Sequence, residues 1–152
     1  MKVMLENVPL SNGIHSVNEF KYIIDNVDSL LVHLDIPYAF TPGGMKSVLD
    51  YISLFKDRIV HIHWHDNHGM KDEHLAIGEG WIDHYKAVKA LKDINYDGTI
   101  TLEVLPVRMM LNVQHISLEP CSFEKCTHWD SAVVLDAHDV MRCIKTYNQP
   151  YL

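Results

Sequence analysis

Several features that would narrow the class of protein are scarce or missing in this sequence of 152 residues. No stretch approaches the roughly 18 consecutive apolar residues that a membrane-spanning helix needs. The apolar run at the N-terminus, MKVMLENVPL, is too short for the hydrophobic region of a secretory signal. We therefore expect a cytoplasmic protein without a membrane partner.

Cysteine and basic clusters are also scarce. The three cysteines are Cys121, Cys126 and Cys143, an odd number with no Cys-x-x-Cys pair. This pattern indicates neither a disulfide framework nor a cysteine-type zinc site. There is no run of Lys or Arg, and the net charge is −7. Because binding to a phosphate backbone relies on clustered basic residues, a nucleic-acid partner is not expected.

The sequence does contain short apolar runs, typical of strands, in alternation with segments whose apolar residues recur at the helical period. Short apolar runs predict strands at Lys2–Glu6, from Ser29, at Arg58–His65 and at DGTITLEV. Amphipathic stripes between these runs predict helices that begin at Ser16, after the FTPGG turn and at Asp83.

This alternation predicts a single α/β domain over residues 1–152, with a parallel sheet built from βα units. The last part is less regular: residues 105–130 show no clear period, and a closing helix is predicted from Val133 to Tyr147. All strands of a parallel sheet end at the same edge, so we expect the functional site there.

One ionisable residue stands near the end of each predicted strand. These residues, called the strand-end set below, are Glu6, Asp35, His63 and Glu103. Most are separated by roughly the 30 residues of a βαβ unit. A buried carboxylate needs a partner charge, hydrogen bonds or a metal ion, and one shared cation would serve the whole set. These ligands suit Mn²⁺, Mg²⁺ or Co²⁺, with Zn²⁺ a further option. The plainer alternative is that the glutamates form ordinary ion pairs with Lys2 or Arg108.

The third strand and the loop after it hold five of the 11 histidines. His61 and His65 share a strand face with His63, so they are either polar packing residues or supports for the ligand. Asp66 and Asn67, at the end of the strand, are either turn formers or residues that orient His63.

Four segments carry a resemblance to a known family: VMLEN, LLVHLDIPYA, RIVHIHWHDNHGMKDEHLAIGEG and GTITLEV, within about residues 2–104. They resemble the last four strands of the xylose isomerase-like TIM barrels, a superfamily of sugar (phosphate) isomerases and epimerases that also includes endonuclease IV-type apurinic endonucleases. HxHxHDN followed by DxHxxIGEG is the most specific part. The resemblance implies the (βα)4 half of a TIM barrel that contains strands 5–8, with the strand-end set binding one divalent metal.

The resemblance also implies a reaction and a substrate class. The reaction is proton transfer next to the carbonyl of a sugar or sugar phosphate, through an enediolate. Glu6 and Glu103 would be the catalytic pair, one removing the proton and the other returning it. A loop set, consisting of Tyr38, Asp72 and His74, would contact the substrate or a second metal.

Two departures from the family pattern shape these expectations. Tyr38 stands where many relatives have a histidine, which removes one ligand from a multi-zinc arrangement. Together with the acidic net charge, this disfavours a zinc-dependent apurinic endonuclease.

The second departure is length, because a complete TIM barrel takes about 250 residues. An open sheet of four strands would leave two edges and an apolar face uncovered. We therefore expect a homodimer or a complementary half-barrel chain, and activity that depends on this second half. The alternative function is a non-catalytic half-barrel that binds a metal or another ligand.

Overall fold

The four predicted strands form one sheet, in the order in which they follow one another along the chain. A computed structural model of the protein describes residues 2–8 and 16–104, together with the backbone of residues 133–136. Its elements are β1 (Val3–Glu6), α1 (Val17–Asn26), β2 (Leu30–Asp35), α2 (Ile36–Phe40), α3 (Gly44–Phe55), β3 (Ile59–Trp64), α4 (His84–Asp93), β4 (Thr99–Leu102) and β5 (Val133–Asp136). Strands β1 to β4 pair in parallel, and β5 joins β4 in the antiparallel direction.

Capping residues explain where two of the helices begin. The side chain of Ser16 accepts a hydrogen bond from the backbone N–H of Glu19 before α1, and Asp83 accepts one from Lys86 before α4. Such caps satisfy backbone donors that the first turn of a helix leaves unpaired. No helix in the described ranges is long and apolar enough to span a membrane.

The short helix α2 follows β2 without a loop and is not among the predicted elements. Asp35 is its cap, because Oδ1 of Asp35 accepts a hydrogen bond of 2.7 Å from the backbone N–H of Tyr38. Pro37 lies in the first turn, where a missing N–H costs nothing. One residue therefore ends the strand and starts the helix, which fixes the position of its side chain.

The two faces of the sheet differ in polarity. Side chains alternate between them, and the face covered by helices holds the apolar core. Core residues from the strands and helices include Val32, Leu34, Ile62, Trp64 and Ile100 beside Phe20, Ile52 and Leu91. The opposite face, called the inner face below, carries mainly polar side chains, among them His33, His61, His63 and Thr101. The expectation of an uncovered apolar face is therefore wrong for the described strands.

The predicted closing helix from Val133 to Tyr147 is wrong at its start. Residues Val133–Asp136 form β5, in which Val134 is opposite Thr101 of β4. Two adjacent valines favour a strand, and pairing with the free edge of β4 decides between the two local structures. The remainder of that prediction, the irregular segment 105–130 and the three cysteines lie outside the described residues.

Candidate metal centre

The C-terminal ends of the parallel strands bring the strand-end set together around Nδ1 of His63. Oε1 of Glu6 lies 3.0 Å from this nitrogen, Oε2 of Glu103 lies 3.4 Å from it, and Oδ2 of Asp35 lies 3.9 Å from it. The ligand atoms of Glu6, Asp35 and His63 are all within 4.8 Å of one another. Strand register explains the convergence, because Asp35 is directly opposite His63 in the ladder between β2 and β3.

Two atoms of this group are buried without a hydrogen-bond partner. They are Oδ2 of Asp35 and Nδ1 of His63, and Asp35 is fully buried. The contact between His63 and Glu6 is close but does not have the orientation of a hydrogen bond. Each unsatisfied buried polar group costs about 1–3 kcal/mol. A divalent cation would satisfy both atoms at once, so these residues fit a metal ion.

Burial and neighbouring charges act in opposite directions on the pKa values of the set. Burial raises the pKa of Asp35, and its contacts with His65 offset only part of this effect. Burial also acts to raise the pKa of Glu6, but the neighbouring imidazoles outweigh it and the net pKa is lowered. For His63, desolvation lowers the pKa, and the nearby carboxylates more than compensate. The carboxylates therefore favour a positive charge at this position.

Asn7 also supports the site and is not among the residues predicted for it. Its Nδ2 donates a hydrogen bond of 2.8 Å to the carbonyl oxygen of Asp35, and its Oδ1 accepts one of 2.8 Å from the backbone N–H of Asp35. This buried amide therefore joins the end of β1 to the end of β2. Its position directly after Glu6, at the end of a strand, predicts that it lies near the site, but its two hydrogen bonds to Asp35 cannot be predicted from the sequence.

The loop set also comes together, beside the strand-end set. The hydroxyl of Tyr38 donates a hydrogen bond of 3.1 Å to Oδ2 of Asp72, and Nε2 of His74 lies 3.0 Å from Oδ1 of Asp72. Nδ1 of His74 lies 2.7 Å from the carbonyl oxygen of Glu103, so this nitrogen is the donor. In the neutral ring, Nε2 of His74 then carries the lone pair that a metal or a substrate hydroxyl would use.

His65 contacts both sets. It is fully buried, its ring stacks on that of His74 with centroids 4.0 Å apart, and its Nε2 lies 3.7 Å from Oδ2 of Asp35. That nitrogen has no hydrogen-bond partner. The ligand atoms of His65, Asp72 and His74 lie within 4.8 Å of one another. Of the two alternatives for His65, these contacts favour a supporting or ligating role over simple packing.

Asp66 anchors the loop instead of orienting His63. Its carboxylate is fully buried and accepts hydrogen bonds from five donors. The donors are the backbone N–H groups of Asn67, Gly78, Gly80 and Ile82, and Nε2 of His84. Trp64 donates to the other nitrogen of His84, which fixes the tautomer. Burial acts to raise the pKa of Asp66, but these donors outweigh it and the net pKa is lowered.

Sequence comparison identifies two relatives in Methanocaldococcus jannaschii. Residues 1–136 match the family described as the xylose isomerase-like TIM barrel. An uncharacterized protein of Methanocaldococcus jannaschii is 34% identical over 123 residues, which cover 78% of this chain and 42% of that protein. A second uncharacterized protein of the same organism is 37% identical over 103 residues, covering 68% and 39%. This chain thus spans less than half the length of these relatives.

Comparison with solved structures also identifies similar proteins. A D-tagatose 3-epimerase-like protein matches with a TM-score of 0.61 and 33% identity, over 68% of this chain and 40% of that chain. A D-allulose 3-epimerase from Methylomonas sp., crystallised in complex with D-allulose, shares the fold with a TM-score of 0.53 and 23% identity, over 99% and 49%. The parallel sheet, its helices and these matches agree: this chain belongs to the xylose isomerase-like TIM barrel family.

Proposed function

We propose that this protein is a divalent-metal-dependent sugar or sugar-phosphate isomerase or epimerase that works as part of a complete barrel. One observation carries the proposal: buried, unpartnered atoms of Asp35 and His63 lie within 4.8 Å of a carboxylate oxygen of Glu6. Membership of the family supports it, as does the 33% identity to a protein named as D-tagatose 3-epimerase-like. On this proposal the protein acts in the cytoplasm.

The strand-end set would hold the ion, which we expect to be Mn²⁺, Mg²⁺ or Co²⁺, with Zn²⁺ as a further option. When bound, such an ion polarises the carbonyl group and a neighbouring hydroxyl group of a sugar. Asp35 suits the role of a pure ligand, because it is fully buried and its other oxygen caps α2.

Glu6 and Glu103 suit the movement of the proton. Their side chains are 32% and 28% exposed, so both carboxylates remain accessible beside His63. They come from β1 and from the end of β4, the two ends of the parallel sheet, and would approach a sugar from opposite sides. One carboxylate removes the proton from the carbon next to the carbonyl, and the other returns it.

The loop set would bind the sugar. The hydroxyl of Tyr38 and the ring of His74 flank the carboxylate of Asp72, a combination of donor and acceptor groups that fits sugar hydroxyls. Alternatively, Asp72 and His74 would bind a second metal ion, with His65 as the third ligand.

The proposal includes a second half of the barrel, supplied by a homodimer partner or by a complementary chain. Among the described strands, the outer edge of β1 has no neighbour, and its residues Val3 and Met4 are each 50% exposed. An unpaired strand edge is a template for pairing with another strand. The alternative function is a non-catalytic half-barrel that binds a metal, for which the clustered ligand atoms of Glu6, Asp35 and His63 alone would be sufficient.

Solvent deuterium exchange into a panel of ketoses and ketose phosphates tests the proposal. We expect exchange at the carbon next to the carbonyl, dependent on added Mn²⁺ or Co²⁺. Glu6→Gln and Glu103→Gln should each lower its rate about 100-fold or more at saturating metal, the usual contribution of general acid–base groups. Glu19→Gln on α1 is the matched control, because Gln also suits a capping box.

The remaining outcomes separate the alternatives. Metal binding without exchange, in a chain whose full assembly is present, would favour the non-catalytic half-barrel. Cleavage of abasic DNA would favour the endonuclease reaction instead.

A further inference from the structure

The inner face of the sheet holds a group of nitrogen ligands beside the strand-end set. This imidazole cluster consists of His33, His61 and His63, whose ligand nitrogens all lie within 4.8 Å of one another. The ring centroid of His33 is 3.9 Å from that of His63 and 4.6 Å from that of His61. Register brings the rings together, because His33 on β2 is directly opposite His61 on β3.

His33 provides the observation that indicates a ligand. The residue is only 8% exposed, and its Nε2 is buried without a hydrogen-bond partner. The carboxylate oxygen Oε1 of Glu6 lies 3.7 Å away, beyond hydrogen-bonding distance. Leaving a buried ring nitrogen unsatisfied is costly, and a cation bound by the cluster would remove this cost.

His61 is held in an orientation that suits coordination. Its Nδ1 lies 2.6 Å from the hydroxyl of Thr99, and its Nε2 lies 3.1 Å from the hydroxyl of Thr101. If Nδ1 donates to Thr99, Nε2 has the lone pair and Thr101 donates to it. An ion could then replace the longer contact with Thr101, while Thr99 keeps the ring oriented, as outer partners of metal-binding histidines do.

We propose that His33, His61 and His63 form a second cation site, made of nitrogen ligands only, for a borderline ion such as Zn²⁺ or Ni²⁺. Imidazole ligands favour these ions over Mg²⁺ and Mn²⁺, which favour oxygen. The site shares the His63 ring with the strand-end set, so occupation of one affects the other. It does not depend on the proposed isomerase activity, because the three rings and their neighbours are sufficient for it.

Metal titrations in a background that disables the oxygen-rich ligands test this site. The variant Asp35→Asn with Glu103→Gln removes two carboxylates and leaves the three imidazoles. We expect this variant to bind one equivalent of Zn²⁺ or Ni²⁺ in calorimetric titrations, and to give an absorption spectrum of nitrogen-coordinated Co²⁺. We expect it to have lost most of its affinity for Mn²⁺.

Single substitutions in that background locate the ion. His33→Asn and His61→Asn should each weaken Zn²⁺ binding by at least about 100-fold, and Thr99→Val by about 10–100-fold, the usual effect of losing an outer partner. Thr101→Val should leave binding unchanged or tighten it, because its hydroxyl competes with the ion. His68→Asn, on the loop, is the histidine control and should have no effect. Circular dichroism and thermal melting establish that each variant is folded.

The proposal is overturned if the folded background variant binds neither Zn²⁺ nor Ni²⁺. It is also overturned if His33→Asn and His61→Asn leave the affinity unchanged, or if His68→Asn abolishes binding. A failure of the proposed isomerase activity would be a separate result. It would appear as an absence of solvent deuterium exchange in the wild-type protein in the presence of Mn²⁺.

Discussion

At the scale of single residues, the site depends on which side chains share a strand face and a strand end. Glu6, Asp35 and His63 could be predicted because each follows an apolar run, and parallel strands end at one edge. The supporting roles of Asn7 and His33 could not, because they arise from contacts between different strands. His33 lies two residues before Asp35, so its face was predictable, but its lack of a hydrogen-bond partner was not.

Removal of the Asn7 amide tests how tightly the two strand ends must be joined. Asn7→Ala deletes both hydrogen bonds to the backbone of Asp35, and we expect the free energy of unfolding to fall by about 1–3 kcal/mol. We also expect Mn²⁺ affinity to fall by about tenfold, because Asp35 would be less well positioned. Denaturant unfolding and metal titration measure the two effects.

The control is Asn26→Ala, which removes an exposed side-chain hydrogen bond to the carbonyl of Tyr22 at the end of α1. Its effect on the free energy of unfolding should stay within about 0.5 kcal/mol, and metal affinity should not change. Equal effects of the two substitutions would contradict a specific role for Asn7.

At the scale of elements, the loop between β3 and α4 is held by one buried carboxylate. The strands and helices around it could be predicted from hydrophobic period and caps. The donors to Asp66 could not, because they follow from how the loop folds back on itself. The same limit applies to α2, which depends on Asp35 serving two elements, and to β5, where pairing with β4 overrides a helical period.

Neutralising the carboxylate of Asp66 should loosen the loop and the loop set with it. Asp66→Asn turns an oxygen that accepts backbone N–H groups into a donor, and we expect a loss of about 2–4 kcal/mol in the free energy of unfolding. The matched control is Asp83→Asn before α4, since asparagine caps a helix as well as aspartate does. Denaturant unfolding near neutral pH compares the two variants.

The difference in stability between the wild-type protein and Asp66→Asn should depend on pH. The pKa of Asp66 in the folded protein lies below the usual 3.8, so the unfolded chain takes up the proton first as the pH falls. The stability advantage of the wild-type protein over Asp66→Asn should be complete above pH 3.8 and shrink as the pH falls through the folded-state pKa. An advantage that stays constant across this range would contradict an ionised Asp66.

Substitution of Gly80 tests the same loop through steric contacts, without a change in charge. A Cβ atom at this position would lie 2.3 Å from Oδ1 of Asp66 and 2.4 Å from the carbonyl oxygen of Asn67, and the backbone cannot easily move away. We expect Gly80→Ala to cost about 1–3 kcal/mol and to expose the loop to proteolysis. Gly44→Ala, which has a φ of +63° but open space around its Cβ, should cost about 1–2 kcal/mol without exposing the loop.

At the scale of the whole molecule, four parallel strands could be predicted from the alternation of strand and helix patterns, and the structure confirms them. How a second half would complete the sheet depends on contacts between surfaces. The hydrophobic periodicity of one chain does not predict such contacts. The expectation of an apolar inner face illustrates this limit. Barrel interiors are typically filled by branched aliphatic residues, but here His33 and His61 occupy that face.

Association through the edge of β1 is the prediction at this scale. We expect sedimentation equilibrium to show a dimer, and Met4→Lys to shift the equilibrium towards the monomer, because a lysine on an edge strand opposes pairing. Leu54→Lys on α3 is a control of similar exposure away from this edge and should leave the equilibrium unchanged. A wild-type chain that stays monomeric at all concentrations would contradict association through β1, unless a complementary chain is required.

Imidazoles and hydroxyls line the surface that a second half would cover, so the space enclosed by the two would remain wet. Two halves that enclose water bury little apolar surface when they associate. Backbone hydrogen bonds between their edge strands would therefore have to supply most of the binding free energy. Such a barrel would come apart and close again readily. Ions could then enter through the seam between its halves, without any opening at its mouth.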